Sequence, residues 1–207
     1  MTYKTEQEAF WAGEFGTEYI DRNVGDVLLG ANLDFFAKAL RHAAGVESCI
    51  EFGANVGMNL RALQLLYPRQ LHFGIEINPE AVARLAHHIP AEHIFQQSIL
   101  DFEPPRIYDL VLIKTVLIHI NPEFLPAVYD AMYRSAGRYI LLAEYYSPTP
   151  VEISYRGHAG KLFKRDFCGE MLQAYSDLKL VDYGFAYRND PVFPQDDINW
   201  FLMEKKS

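Results

Sequence analysis

The chain has 207 residues, 50% hydrophobic and 14% aromatic, which favours one ordered domain with a sizeable core over a disordered chain. Its net charge of −8 argues against a nucleic-acid partner, because phosphate backbones bind basic surfaces. The first residues lack the apolar core of a signal peptide, no apolar run approaches the ~20 residues of a membrane span, and Cys49 and Cys168 have no metal-ligand spacing. We therefore expect a reduced cytoplasmic protein with no membrane contact and no metal.

The chain begins with two helix-like patterns. Aromatic residues at helical spacing predict a helix over residues 5–22, and a second apolar pattern predicts one over residues 32–43. We expect residues 1–45 to form a helical lid ahead of the sheet.

Strands and helices then alternate. Strand-like runs fall near residues 46–52, 71–77, 92–96, 108–114 and 138–144. Helix-like runs fall near residues 57–67, 79–88 and 123–135, and Pro79 and Pro122 suit the first turns of the last two. Strict alternation with apolar strands predicts an α/β fold, a doubly wound, mostly parallel sheet covered on both faces, with its cofactor-binding core over residues 46–144.

The alternation stops at a segment that contains Pro, Tyr and Arg, residues 145–163, which we interpret as a substrate-side insert. A helix near residues 164–175 and strand-like runs near 178–186 and 197–204 complete the chain. These two runs lie close in sequence, as in a hairpin, which predicts that one of them runs antiparallel and that the sheet has seven strands.

The most informative stretch is residues 51–57, Glu-Phe-Gly-Ala-Asn-Val-Gly, at the end of the first apolar run. Two glycines four apart between a strand and a helix predict a tight turn of the kind that holds nucleotides in α/β proteins. A second acid, Glu76, closes the next strand 25 residues after Glu51. A carboxylate at that position can accept hydrogen bonds from both hydroxyls of a ribose.

Ligands of such sheets bind at the carboxyl ends of the strands, so polar residues at four successive strand ends indicate one cofactor site. The candidates are Glu51, Gly53, Asn55, Gly57 and Asn59 after the first strand, Glu76 and Ile77 after the second, Ser98 and Ile99 after the third, and Lys114 on the fourth.

The turn does not match the dinucleotide fingerprint G-x-G-x-x-G, and it has no Walker lysine. An acid beside it is unfavourable for a pyrophosphate but favourable for an ammonium group. These residues therefore favour S-adenosylmethionine (AdoMet), a cationic nucleoside without phosphate, and disfavour an NAD(P) oxidoreductase.

Residues 46 to about 145 resemble the class I AdoMet-dependent methyltransferases, with Asn55 in place of the middle glycine of their first motif. The resemblance implies a Rossmann-like methyltransferase fold with AdoMet as cofactor. It also implies that Glu76 binds the ribose, that residues 97–99 flank the adenine, and that residues 108–119 form the segment around strand four.

The flanks carry a narrower resemblance, to the pseudaminic acid biosynthesis-associated methylases. It rests on residues 10–23, 144–148, 155–158, 162–167 and 193–201. This resemblance implies methyl transfer more strongly than it implies a sugar substrate.

A methyl acceptor must approach the sulfonium to within about 3–3.5 Å. The candidate bases are His119, Glu144 and His158. The candidate substrate-binding residues are Trp11, Tyr19, Arg22, Asn23, Tyr145, Tyr146, Tyr155, Arg156, Lys164 and Arg165. The local excess of basic residues favours an anionic acceptor. The alternative is a solvated helix start whose cations pair with Glu152, Asp166 and Glu170.

The sequence therefore predicts an AdoMet-dependent methyltransferase whose partner is a small polar, anionic metabolite, sugar-related or amino-acid-like, methylated at oxygen or nitrogen. A peptide or protein N-methyltransferase and a non-catalytic cofactor-binding module remain alternatives. The pattern makes no prediction of oligomeric state.

Overall fold

The computed structural model describes residues 3–21 and 25–206. Nine strands are present in this part of the chain: β1 (Ser48–Phe52), β2 (Leu71–Glu76), β3 (Ile94–Gln96), β4 (Tyr108–Lys114), β5 (Ala136–Glu144), β6 (Val151–Tyr155), β7 (His158–Lys164), β8 (Leu178–Ala186) and β9 (Ile198–Lys205). Seven of them form one sheet in the order β3-β2-β1-β4-β5-β9-β8. The first five are parallel, and β9 runs antiparallel to both β5 and β8, which confirms the predicted sheet.

Helices cover both faces of this sheet. They are α1 (Glu6–Ala12), α2 (Glu14–Ile20), α3 (Asp26–Ala39), α4 (Met58–Leu66), α5 (Pro79–Leu85), α6 (Leu125–Ser135) and α7 (Phe167–Ala174). Leu110 of β4 packs in one core with α3, α4 and α5, whereas the next residue, Val111, packs in the other with α6 and α7. Alternate residues of each buried strand thus face opposite helical layers, as a doubly wound fold requires.

The N-terminal helices differ from the prediction. The single helix expected over residues 5–22 is divided at Gly13, whose extended backbone ends α1 and begins α2. The helix expected over residues 32–43 begins earlier, at Asp26, because Gly25 takes a φ of +111° immediately before it, and it ends at Ala39.

The predicted insert contains a second, two-stranded sheet, made of β6 and β7. Arg156 and Gly157 connect the strands, with φ values of +51° and +87°. Two consecutive positive φ angles are the geometry of a two-residue hairpin turn. The sequence prediction missed this hairpin because Arg is not a typical residue at such a position.

No helix in the described ranges is long and apolar enough to cross a membrane.

Candidate active site

The carboxyl ends of β1, β2 and β4 open into a cleft, where ligands of such sheets bind. Helices α1 and α2 contribute one wall, and the strand ends contribute the other. The sequence-predicted residues that line the cleft are Trp11, Tyr19, Gly53, Asn55, Asn59, Glu76, Ile77, Ser98, Ile99, Lys114 and His119.

The turn after β1 has the left-handed geometry that its glycines predict. Gly53 has a φ of +76° and Asn55 a φ of +47°. A Cβ on Gly53 would lie 2.6 Å from Cγ2 of Val116, so glycine is required there for space as well as for conformation. Asparagine tolerates positive φ better than most residues, which explains how Asn55 replaces a glycine.

Glu76 lies at the end of β2 with both carboxylate oxygens fixed. The backbone N–H of Asn55 donates to Oε2 at 2.7 Å, and the backbone N–H of Asn78 donates to Oε1 at 2.8 Å. Burial raises the pKa of Glu76, while these backbone donors oppose that shift. Each oxygen retains lone-pair capacity for a ligand hydroxyl, so this carboxylate is oriented in advance for a ribose.

Glu51 is placed differently from the prediction. It is fully buried behind the cleft wall, where its Oε1 accepts a 2.6 Å hydrogen bond from Nδ2 of Asn59. Its Oε2 has no hydrogen-bond partner among the described residues. Burial raises the pKa of Glu51 to about 8, against the opposing effects of Asn59 and Lys114. Glu51 therefore holds Asn59, which reaches the cleft, and its own contact with the cofactor stays a prediction.

Gly57 also lies outside the cleft lining. It precedes α4 with a φ of +84°, and a Cβ there would lie 2.5 Å from Cδ1 of Leu85. This glycine allows α4 to pack against α5, and its contact with the cofactor stays a prediction.

Lys114 is the one lysine or arginine among the described residues that line the cleft. Its Nζ lies 5.7 Å from the ring centroid of Phe35. Burial lowers the pKa of Lys114, while the nearby carboxyl groups of Glu51, Asp196 and Glu144 oppose that shift. This part of the cleft thus has a single cation near several carboxyl groups.

Glu144 is not placed as a catalytic base. It is buried outside the cleft lining, and its Oε1 accepts hydrogen bonds from the backbone N–H groups of Val116 at 3.0 Å and Leu117 at 2.9 Å. Burial raises the pKa of Glu144 to about 7 against these donors. The side chain anchors the start of the short 3-10 helix Leu117–His119 and thereby positions His119.

His119 is buried in the cleft wall. Its Nδ1 lies 2.6 Å from the carbonyl oxygen of Lys161, and because a carbonyl only accepts, Nδ1 carries the proton. The neutral ring therefore has its lone pair on Nε2. Burial lowers the pKa of His119 to about 4, against the effect of this hydrogen bond. His119 can accept a hydrogen bond at neutral pH without first losing a proton.

Aromatic rings surround His119. The ring centroid of Trp11 lies 4.6 Å from that of His119, and the centroid of Tyr155 lies 4.9 Å away. Tyr19 packs edge-on against Trp11 at 5.3 Å. The structure thus brings together three predicted substrate-binding aromatics and one predicted base, although Tyr155 contacts the cluster from behind the cleft lining.

Tyr145 and Tyr146 do not line the cleft. Burial, followed by the negative charge of Asp196, raises the pKa of Tyr145, and the ring of Tyr145 lies 5.1 Å from Nζ of Lys164. Tyr146 is exposed, with its ring 6.2 Å from that of Phe201.

The predicted basic residues do not converge on one site. Arg156 is at the exposed tip of the β6–β7 hairpin, and Nε of Arg165 donates to Oε1 of Glu170 at 2.7 Å. The exposed His158 packs against Phe10, at 5.1 Å between ring centroids, and does not line the cleft. The ion-pair alternative therefore holds for Arg165.

Sequence reasoning missed Glu8, which reaches the cleft from α1. The hydroxyl of Ser98 donates to Oε1 of Glu8, and the backbone N–H of Thr5 donates to Oε2 at 2.9 Å. Thr5 and Glu8 form a capping box at the start of α1. The Thr-x-x-Glu spacing was the available signal, and it predicts a helix start but not a contact with a strand end.

Asn78 follows the end of β2, and its contact with the lid was not predicted, although the pair Asn78 and Pro79 is typical of a helix start. Its Oδ1 accepts from the backbone N–H groups of Glu80 and Ala81, and its Nδ2 donates to the carbonyl oxygen of Trp11 at 3.1 Å. One side chain thus caps α5 and holds the lid.

Two predicted substrate-binding residues, Arg22 and Asn23, lie outside the described residues. Over residues 3–21 and 25–206, no group of three or more His, Cys, Asp or Glu side chains could hold a metal ion.

Solved methyltransferase structures share this fold. The magnesium protoporphyrin IX methyltransferase of Synechocystis PCC 6803, with bound AdoMet, has a TM-score of 0.71 at 15% identity over 100% of both chains. The 1,6-didemethyltoxoflavin N1-methyltransferase of Burkholderia thailandensis, with bound S-adenosylhomocysteine, has a TM-score of 0.74 at 13% identity over 100% of this chain and 92% of that one.

A sugar N-methyltransferase from a Streptoalloteichus species has a TM-score of 0.68 at 14% identity, over 100% of this chain and 97% of that one. No protein-family model matches the sequence, and no curated protein sequence matches it. At these identities the likeness establishes the fold. The chain has the Rossmann-like fold of AdoMet-dependent methyltransferases.

Proposed function

We propose that the protein is an AdoMet-dependent methyltransferase that acts on a small polar molecule. The observation that carries the proposal is the carboxylate of Glu76, which the N–H groups of Asn55 and Asn78 fix at the edge of the cleft. A carboxylate in this position suits a ribose and opposes a phosphate. The shared fold of AdoMet-binding methyltransferases supports the same ligand.

The cleft residues fit the parts of AdoMet. Glu76 would accept hydrogen bonds from the ribose hydroxyls, and Ile77 and Ile99 offer apolar surface to the adenine. Asn59 and Lys114 line the same cleft, and the Lys114 ammonium suits the carboxylate of the amino-acid tail.

Bound AdoMet supplies an electrophilic methyl group, so the protein has to position an acceptor and receive its proton. Nε2 of His119 would accept a hydrogen bond from the O–H or N–H of the acceptor. An attacked hydroxyl becomes a strongly acidic oxonium as its bond to the methyl forms, so His119, with a pKa of about 4, can take that proton while S-adenosylhomocysteine leaves. An attacked amine becomes an ammonium group that gives its proton to solvent, and His119 would then only orient the nitrogen. Trp11 and Tyr19 would flank the acceptor and exclude water.

The acceptor need not be anionic. Arg165 is paired with Glu170 and Arg156 is exposed at the hairpin tip, so neither supports a guanidinium clamp in the cleft. We therefore keep a sugar-related or amino-acid-like acceptor, methylated at oxygen or nitrogen, and drop the requirement for negative charge. The solved sugar N-methyltransferase supports the sugar-related choice. The narrower resemblance to the pseudaminic acid-associated methylases and the cytoplasmic location remain predictions.

Incubation with methyl-labelled AdoMet and size-fractionated cell extract tests the proposal. Label in a fraction of small molecules supports it, whereas label confined to macromolecules favours the peptide or protein N-methyltransferase. Cofactor binding without label in any fraction favours the non-catalytic module.

A further inference from the structure

Glu8 has a second feature besides its place in the capping box of α1. It is buried, and its carboxylate lies in the cleft next to Ser98, in the segment that follows β3. Oε2 is occupied by the backbone N–H groups of Lys4 and Thr5. Oε1 accepts a hydrogen bond from the hydroxyl of Ser98 and has a further lone pair. This buried carboxylate already accepts three hydrogen bonds, and its remaining acceptor capacity allows one more donor from a ligand.

The surroundings of Glu8 select the kind of donor. The hydroxyl of Ser98 donates its hydrogen bond to Glu8 and accepts one from the backbone N–H of Leu100 at 3.0 Å, so this side chain offers no further donor. The pair of side chains therefore presents only acceptors to a ligand. An amino group suits such a surface, and a carbonyl oxygen is repelled by it.

Glu8 and Glu76 are the two carboxylates among the described cleft-lining residues. Glu76 lies at the end of β2, and Glu8 lies against the end of β3, the neighbouring strand. The two acids thus mark two separate positions along one ligand. A nucleoside whose ribose binds Glu76 can place its base against the end of the neighbouring strand, where Glu8 lies.

We propose that Glu8 selects the adenine of the cofactor, its Oε1 accepting a hydrogen bond from the exocyclic amino group of the base. This inference rests on the proposed function and extends it, because the selecting group is carried by the lid and not by the sheet. The same contact joins α1 to the ligand, so occupation of the base position would stabilise the docked position of α1.

Calorimetric titration with S-adenosylhomocysteine and with S-inosylhomocysteine, in which a carbonyl oxygen replaces the amino group, tests this role. We expect the wild-type protein to bind the inosine analogue about 10-fold more weakly or worse, the range for a hydrogen bond to a charged group. In Glu8→Gln the amide can donate to the carbonyl oxygen, so the ratio of the two dissociation constants falls below about 3-fold. Glutamine preserves the capping box, and a thermal melt verifies folding.

Glu6→Gln is the matched control. It removes the same charge from the same helix at an exposed position, where Glu6 pairs with Lys161, and it should keep the wild-type ratio. A wild-type protein that binds both ligands equally, or a Glu8→Gln variant that keeps the wild-type ratio, overturns the role of Glu8 and leaves the proposed function standing. A wild-type protein that binds neither ligand overturns the proposed function and this inference with it.

Discussion

The backbone N–H of Asn55 donates to Oε2 of Glu76 at 2.7 Å, and this bond joins the turn after β1 to the carboxylate that ends β2. The turn can deliver that N–H because Asn55 lies in the left-handed region. The glycine-containing loop therefore shapes the cleft and also orients its principal acid.

Substitutions of Asn55 separate conformation from side-chain chemistry. Asn55→Ala keeps a Cβ at positive φ but loses the side-chain hydrogen bond that favours this conformation. We expect it to lower the free energy of unfolding by about 1–2 kcal/mol. Asn55→Gly removes the bond from the backbone N–H of Val56 to Oδ1 but relieves the conformation, so it should change stability by less than about 1 kcal/mol. Urea unfolding distinguishes them, and equal losses for both variants would contradict the conformational explanation.

Substitutions of Asn78 separate helix capping from lid docking. Asn78→Asp keeps an acceptor for the N–H groups of Glu80 and Ala81, so α5 retains its cap. It removes the donor to the carbonyl oxygen of Trp11, and we expect faster hydrogen exchange in residues 5–20 with the melting temperature nearly unchanged.

Asn78→Ala removes both functions, and it should also lower the free energy of unfolding by about 1 kcal/mol. Unchanged exchange in the lid of Asn78→Asp would show that this side chain does not hold α1.

Because His119 is buried and neutral, it makes the folded protein less stable at acidic pH. Its pKa is lowered to about 4 from an ordinary value of 6.5, so between these values the unfolded chain binds a proton that the folded chain does not. Stability is therefore lost as the pH falls from 6.5 to 4, by up to about 3 kcal/mol from this residue.

Unfolding of His119→Gln in urea across that range should show a shallower loss than unfolding of the wild type. The exposed His158, changed to Gln, provides the control and should follow the wild-type curve. Parallel curves for wild type and His119→Gln would contradict the assignment of a neutral ring.

The contribution of Glu144 to stability changes with pH in the opposite direction to that of His119. Its pKa is raised to about 7 from 4.5, so between these values the folded protein holds a proton that the unfolded chain has lost, and stability falls as the pH rises through this window. Glutamine does not ionise, so the free energy of unfolding of Glu144→Gln, relative to that of the wild type, should rise by about 1–3 kcal/mol between pH 4.5 and pH 8. Chemical denaturation at both pH values measures the difference, with Glu123→Gln as an exposed control. A constant difference would mean that Glu144 ionises normally.

The sequence predicted which strand ends form the cleft more successfully than it predicted which side chains line the cleft and which are buried behind it. Glu76, Ser98 and Lys114 were located because parallel strands bring their carboxyl ends to one edge of the sheet. Glu51, the penultimate residue of β1, and Glu144, the last residue of β5, are buried behind the cleft lining. Both strand ends are buried on both faces, so the pattern does not show which acid reaches the cleft. Periodicity alone could not make that distinction.

The contribution of the lid could not be predicted for a different reason. Glu8 meets Ser98 across 90 positions of sequence, and the docking of a short helix depends on tertiary contacts that leave no local signal. The hairpin of β6 and β7 was missed because its turn uses Arg156 at positive φ.

The most direct test of the central claim is calorimetric titration of S-adenosylhomocysteine into the wild-type protein, Glu76→Gln and Glu80→Gln. Glu80 is an exposed acid four residues away that pairs with Arg84, so its variant controls for charge. The account predicts binding to the wild type and to Glu80→Gln, and a dissociation constant weaker by about 10-fold or more for Glu76→Gln. A wild-type protein that gives no heat, or a Glu76→Gln variant that binds as tightly as the wild type, would contradict it.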